Sequence, residues 1–118
     1  MALADAAMIL AANGLRAGIT HMQIHSGDPG AAGTANVAPG PARQPITWGA
    51  ASADGDFNLA ATVAFTGGTA GAAASWISLW SALTGGTFLG RFALTGDTTF
   101  NSNGEFSVTA LPLNGSAS

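Results

Sequence analysis

Six stretches of this chain alternate with a period of two, and that pattern restricts its fold more than any other feature. The first is Ile19–His25, where Thr20, Met22 and Ile24 share one face and His21, Gln23 and His25 the other. Successive side chains of a strand leave on opposite faces, so this is the pattern of a half-buried strand. Ser26-Gly27-Asp28-Pro29-Gly30 stops it, because Pro29 has no N–H to donate and glycine accepts backbone angles closed to other residues. From Pro45 the alternation resumes. Ile46, Trp48 and Ala50 form one face, then Phe57, Leu59, Ala61, Val63 and Phe65, then Phe88, Gly90, Phe92 and Leu94, and finally Phe106, Val108 and Ala110. Ala53-Asp54-Gly55-Asp56, Gly67-Gly68, Thr84-Gly85-Gly86 and the segment 96–104 supply the turns. Between Ser75 and Trp80, Trp76, Ser78 and Trp80 oppose Ile77 and Leu79. Bulk on both faces marks either a central strand or one whose tryptophans a second subunit buries. The expected architecture is mainly β: an antiparallel β-sandwich or small barrel of about six to eight strands with a short N-terminal helix.

Two segments fall outside the alternation. Residues 2 to about 13 are rich in Ala, Leu and Met, and Leu3, Ala6, Ala7 and Leu10 make one apolar stripe at helical spacing. Asp5 suits the positive end of the helix dipole, and Asn13-Gly14 is the expected stop. Such a helix either closes one end of the molecule's own core or packs as an arm on a neighbouring subunit, since a short Ala-rich helix is marginal alone. Residues 26–45 carry Pro29, Pro39, Pro41 and Pro45 with four glycines, and a loop this long is commonly functional or held by a partner. The expected organisation is one domain over 1–118, with a helical arm at 1–14, an irregular loop at 26–45 and a β body at 45–111.

Composition removes several function classes. The chain has three Lys plus Arg against six acids, a net charge of −3, and only 8% charged residues. It lacks a cationic patch for nucleic-acid phosphates. With so few charges to keep copies apart, an assembled state with much surface against neighbours is expected. Without cysteine, neither disulfides nor a thiolate zinc site can brace the fold. The apolar N-terminus lacks a basic region and is too short to span a bilayer, so membrane insertion is not expected.

The candidates for chemistry are sparse. His21 and His25 with Asp28 look like a metal set, but four residues of strand span about 13 Å, too far for both imidazoles to reach one ion. Structural roles are expected for both. Ser26, a histidine and Asp28 lack the arrangement of a hydrolytic relay, and Asp54-Gly55-Asp56 reads as a turn rather than a calcium loop. Without a lysine no phosphate loop can be built. Neither a cofactor nor a metal is expected. Trp48, Trp76 and Trp80 fill a core or an interface, or alternatively offer a sugar-stacking face. Arg43 and Arg91 are expected to pair with acids that fix a loop or a subunit contact.

The order of three blocks carries a resemblance. His25-Ser26-Gly27-Asp28-Pro29-Gly30, then Ala42-Arg43-Gln44 with Ile46 and Trp48, then Leu79-Trp80-Ser81-Ala82 with Gly85-Gly86-Thr87-Phe88-Leu89-Gly90 resemble a family of small structural proteins of tailed bacteriophages. Many members come from phages of actinobacteria, and they are labelled tail-fibre, minor tail or head-decoration proteins. The likeness covers about residues 1–111. It departs from the family where Pro41-Ala42 replaces the usual tyrosine and where the acid next to Asn36-Val37 is missing. The resemblance implies a non-enzymatic virion component, assembled in the bacterial host cytoplasm. A fibre needs length from coiled coil or repeats, which this chain lacks. The leading expectation is therefore a capsid decoration protein bound to the outer surface of the particle through apolar contacts. A minor tail, tail-fibre or baseplate component is the alternative, and a carbohydrate-binding module with surface tryptophans a further one. The expected partners are the chain itself as a homo-oligomer, such as a trimer, the major capsid protein or tail proteins, and a host-surface glycan. Leu3, Met8, Leu10, Trp48, Trp76 and Trp80 are the interface candidates. His25, Asp28, Pro29 and Arg43 are the residues expected to fix the loop.

Overall fold

A computed structural model describes residues 4–52, 55–111 and 113; Leu3 and Asp54 lie outside them. Among the described residues the fold is one helix followed by six strands in two antiparallel sheets, and no barrel closes. The helix α1 spans Asp5–Gly18; the strands are β1 (His21–His25), β2 (Gln44–Pro45), β3 (Val63–Phe65), β4 (Trp76–Trp80), β5 (Phe88–Ala93) and β6 (Phe106–Val108). One sheet has the order β2-β1-β4-β5 and the other pairs β3 with β6.

β4 is central, as its two bulky faces require: Ile77 pairs with Ile24 of β1 and with Phe92 of β5. One face of the four-stranded sheet presents Met22, Ile24, Ile77 and Leu79, which pack with Val63, Phe65, Val108, Phe100 and Leu111 into the core. Phe65, Met22, Ile24 and Ile77 are completely buried. The opposite face carries Gln23, His25, Trp76, Ser78, Trp80 and Arg91, and the segment 26–45 folds over it. A register shift between Leu79 and Trp80 sets Phe88 opposite Trp80. This bulge moves Phe88 out of the Gly90–Phe92 row in which alternation alone would place it.

Two expected strands are shorter than their patterns. Trp48 and Leu59 make only an isolated bridge, as do Phe57 and Leu113. The cause is Asn58, whose side-chain oxygen accepts from the Leu59 and Leu111 backbone N–H groups at 2.7 Å each. An amide side chain that takes backbone donors withdraws them from the ladder.

The helix departs from expectation in two ways. It runs through Asn13-Gly14, where Arg16 donates to the Asn13 side-chain oxygen at 2.7 Å, and ends only at Gly18. More consequentially, its buried residue is Ala12, while Leu10 is 74% exposed. Residues 10 and 12 lie about 200° apart around a helix, so Leu10 and Ala6 of the stripe face away from the body, while Ala7 is half-buried. α1 does not close the core. It makes no extensive contact with any strand, and its backbone lies against the turn at Gly55. The molecule is correspondingly long, 46 × 24 × 22 Å.

Candidate functional site

The covered face of the four-stranded sheet holds the two buried polar side chains among the described residues, His25 and Ser78, and a single chain of hydrogen bonds runs through it. Trp80 Nε1 donates to Ser78 Oγ at 2.7 Å. Ser78 Oγ lies 2.7 Å from His25 Nε2, and His25 Nδ1 lies 2.9 Å from the Ala35 carbonyl oxygen. A carbonyl can only accept, so Nδ1 carries the proton and Nε2 accepts from Ser78. Every proton in the relay then has a place, with His25 neutral. A second proton on Nε2 would leave two donors, itself and the tryptophan, facing a hydroxyl whose own proton has lost its acceptor. Burial, the largest influence, lowers the His25 pKa below 6.5; the bonds to the Ala35 and Asn36 backbone oppose the shift, and the Arg43 charge adds to it.

The loop is stitched down at further points. Asp28 Oδ1 accepts from the Gly30 N–H at 2.9 Å and from Arg91 Nη1 at 3.1 Å. Both partners of this ion pair are about half exposed, so its worth is in fixing geometry rather than in stability. Asn36 donates from its side chain to the Asp28 carbonyl at 3.0 Å and accepts from the Ser26 N–H at 2.8 Å. It does so in the left-handed region, at φ 55°, a conformation that asparagine tolerates better than most residues. Pro29 is fully buried. The bend at Gly33 rests on the Phe88 ring, which a Cβ there would enter at 2.3 Å.

Arg43 anchors the end of the loop, with carbonyls in place of the expected acid. Its Nη1 donates to Ala82 O at 3.0 Å and Gly85 O at 2.8 Å, and its Nε to Gln23 Oε1 at 3.3 Å. The guanidinium carbon sits 3.8 Å from the centroid of the Trp80 ring, within cation–π range. Partial burial pulls its pKa down from the usual arginine value.

These contacts bear on the tryptophans. Trp80 is 6% exposed, with Arg43 over one face and Phe88 5.5 Å away, so it offers no surface to a subunit or a sugar. Trp48 is half-buried, packs edge-on against Phe57 at 5.1 Å and uses its N–H on the Ile19 carbonyl at 2.8 Å. Trp76 is half-buried at the far end of β4. The three make no common stacking platform. Met8 is half-buried, and Leu10 is the most exposed of the large apolar side chains among the described residues. The two imidazoles take separate partners: His21 Nδ1 lies 2.9 Å from Thr20 Oγ1. Among the described residues no group of three or more His, Cys, Asp or Glu gathers for a metal.

Ser78 was not singled out by sequence, although a serine between Ile77 and Leu79 in a strand with no solvated face is a legible sign of a buried hydrogen bond. Gln23 gave no signal beyond its place on β1.

No curated protein matches this chain. A family described as podophage GP4 fiber I protein gp80 does match, over residues 16–116. The matched span contains all six strands, the long loop and every side chain of the covered face, and it begins near the end of α1. By that match the chain belongs to the podophage fibre I gp80 family, and is a structural protein of a phage virion.

Proposed function

We propose that this protein is a component of the phage tail fibre and acts by shape and subunit contact. The observation that carries this reading is the fibre-family match over 16–116. It favours the tail-fibre alternative over the capsid-decoration expectation, which rested on the absence of coiled coil or repeats. A short β body can occupy one level of a fibre whose length comes from other chains or from stacking. Labelling intact virions with gold-conjugated antibody against the β body tests the assignment. Gold on the tail is the expected result, and gold distributed over the head would overturn it.

The apolar stripe of α1 supports contact with a neighbouring subunit. A 14-residue helix without extensive packing on any strand is marginal in water, and Leu10 stands out into solvent. We place the homo-oligomer contact there. Leu10→Asp is expected to shift the protein toward monomer in sedimentation equilibrium, with the β-sheet circular dichroism unchanged. An unaltered association constant would remove α1 from the interface.

A further inference from the structure

Beside the Arg43 anchor lies an open cleft of about 460 Å³ lined by Gln23, Ala42, Arg43, Leu83, Thr84 and Gly85. Its chemistry is unbalanced. Arg43 satisfies Nε and Nη1 with neutral oxygens, and among the described residues no carboxylate lies within 4.0 Å of it. Its Nη2, the Gln23 Nε2 and the Thr84 hydroxyl have no protein partner among the described residues. The guanidinium is held rigid by the Ala82 and Gly85 carbonyls and by the Trp80 ring, so little side-chain entropy remains to be lost when a ligand binds. The remaining side chains of the lining are apolar, Ala42 and Leu83, the latter 53% exposed.

We propose that this cleft binds an acidic sugar, with its carboxylate on the Arg43 guanidinium and its hydroxyls on Gln23 and Thr84. A fixed cation with unused donors is complementary to a carboxylate. The spread of amide and hydroxyl groups and the volume of the cleft favour a hydroxyl-bearing ring over a single acidic side chain. The apolar wall suits the C–H face of a pyranose. The covered tryptophans play no direct part: Trp80 acts from beneath, by orienting the arginine. The site does not depend on whether the protein sits on tail or head.

Two-dimensional NMR of the isotope-labelled protein, titrated separately with galacturonate, glucuronate, their neutral parent sugars and acetate, tests this. A uronate is expected to shift signals of Gln23, Arg43 and Leu83–Gly85 with a Kd on the order of 1 mM, as befits a single sugar unit. Neutral sugars and acetate should bind at least about tenfold more weakly. Leu83→Glu, which puts a negative charge at the exposed rim, should weaken uronate binding by a similar factor while leaving the spectrum dispersed. Arg43→Lys keeps the charge but gives up the carbonyl contacts that aim the free nitrogen at the cleft, and should weaken binding too. Absence of shifts with both uronates overturns the proposal, as does equal binding of neutral sugar. Equal binding of acetate would show recognition of a bare carboxylate, including that of a protein, and would also overturn it. Unaltered uronate binding by Leu83→Glu would place the ligand elsewhere.

Discussion

Alanine at Gly104 is expected to lower stability by about 3 kcal/mol or more, read as a shift in the denaturant midpoint at unchanged slope. Gly104 is buried at φ 72°, and a Cβ there would lie 2.1 Å from the Gly68 carbonyl oxygen. That obstacle is backbone, not a flexible side chain. Moving it away would break the 2.9 Å bond from the Gly68 N–H to the Gly104 carbonyl and press Gly68 toward the Phe100 ring. The same strand of loop is pinned from its other side, where a Cβ at Gly40 would come 2.0 Å from the Gly67 oxygen. Gly96→Ala is the control. Its φ is 83°, yet nothing stands within 4 Å, so it should cost only the left-handed strain of about 1 kcal/mol. Equal losses in the two variants would refute the close-packing explanation.

Removing His25 is the second large effect. His25→Ala should cost about 3 kcal/mol, because it empties a fully buried site and orphans the Ser78 hydroxyl and the Ala35 carbonyl. The wild-type protein should also lose stability in acid. Since burial holds the folded pKa of His25 below 6.5, the unfolded chain takes up the proton first. The histidine's contribution is therefore complete above about pH 6.5 and declines as pH falls through the interval down to the folded pKa, by at most ~1.4 kcal/mol per pH unit. His25→Gln should flatten that limb of the stability curve. A wild-type profile that stays level between pH 7 and 5 after correction for the carboxylates would contradict a neutral, buried imidazole.

The β character of the chain was legible because its strands alternate on a short period and are bounded by glycine turns, as at Trp76–Trp80 and Phe88–Ala93. What alternation could not reveal was where a polar side chain would interrupt a ladder, and Asn58 did so by drawing two backbone donors onto itself. Periodicity also marked the stripe of α1 correctly as apolar, but a stripe carries no information about which side of the helix meets the body. Ala12, small and unremarked, makes that contact. In the covered face, His25 and Asp28 stood out through the H-S-G-D-P-G block. Their partners Ser78 and Arg91 lie more than fifty residues away, and only the register of β4 and β5 brings them together. Arg43 was visible as a scarce cation, yet its choice of carbonyls over an acid follows from the turn after β4, which no local pattern describes.

The stitched loop has a mechanical consequence. Twenty residues of irregular chain could extend on the order of 65 Å if pulled free, enough to act as a spring within a loaded filament. Here the two ends of the segment are tied to β1 and to the turn beyond β4, and its middle to the His25 imidazole. Force applied along the chain would therefore meet the strands themselves before any length could be released. The length stored in the segment is thereby expected to stay locked until the pairing of β1 is broken.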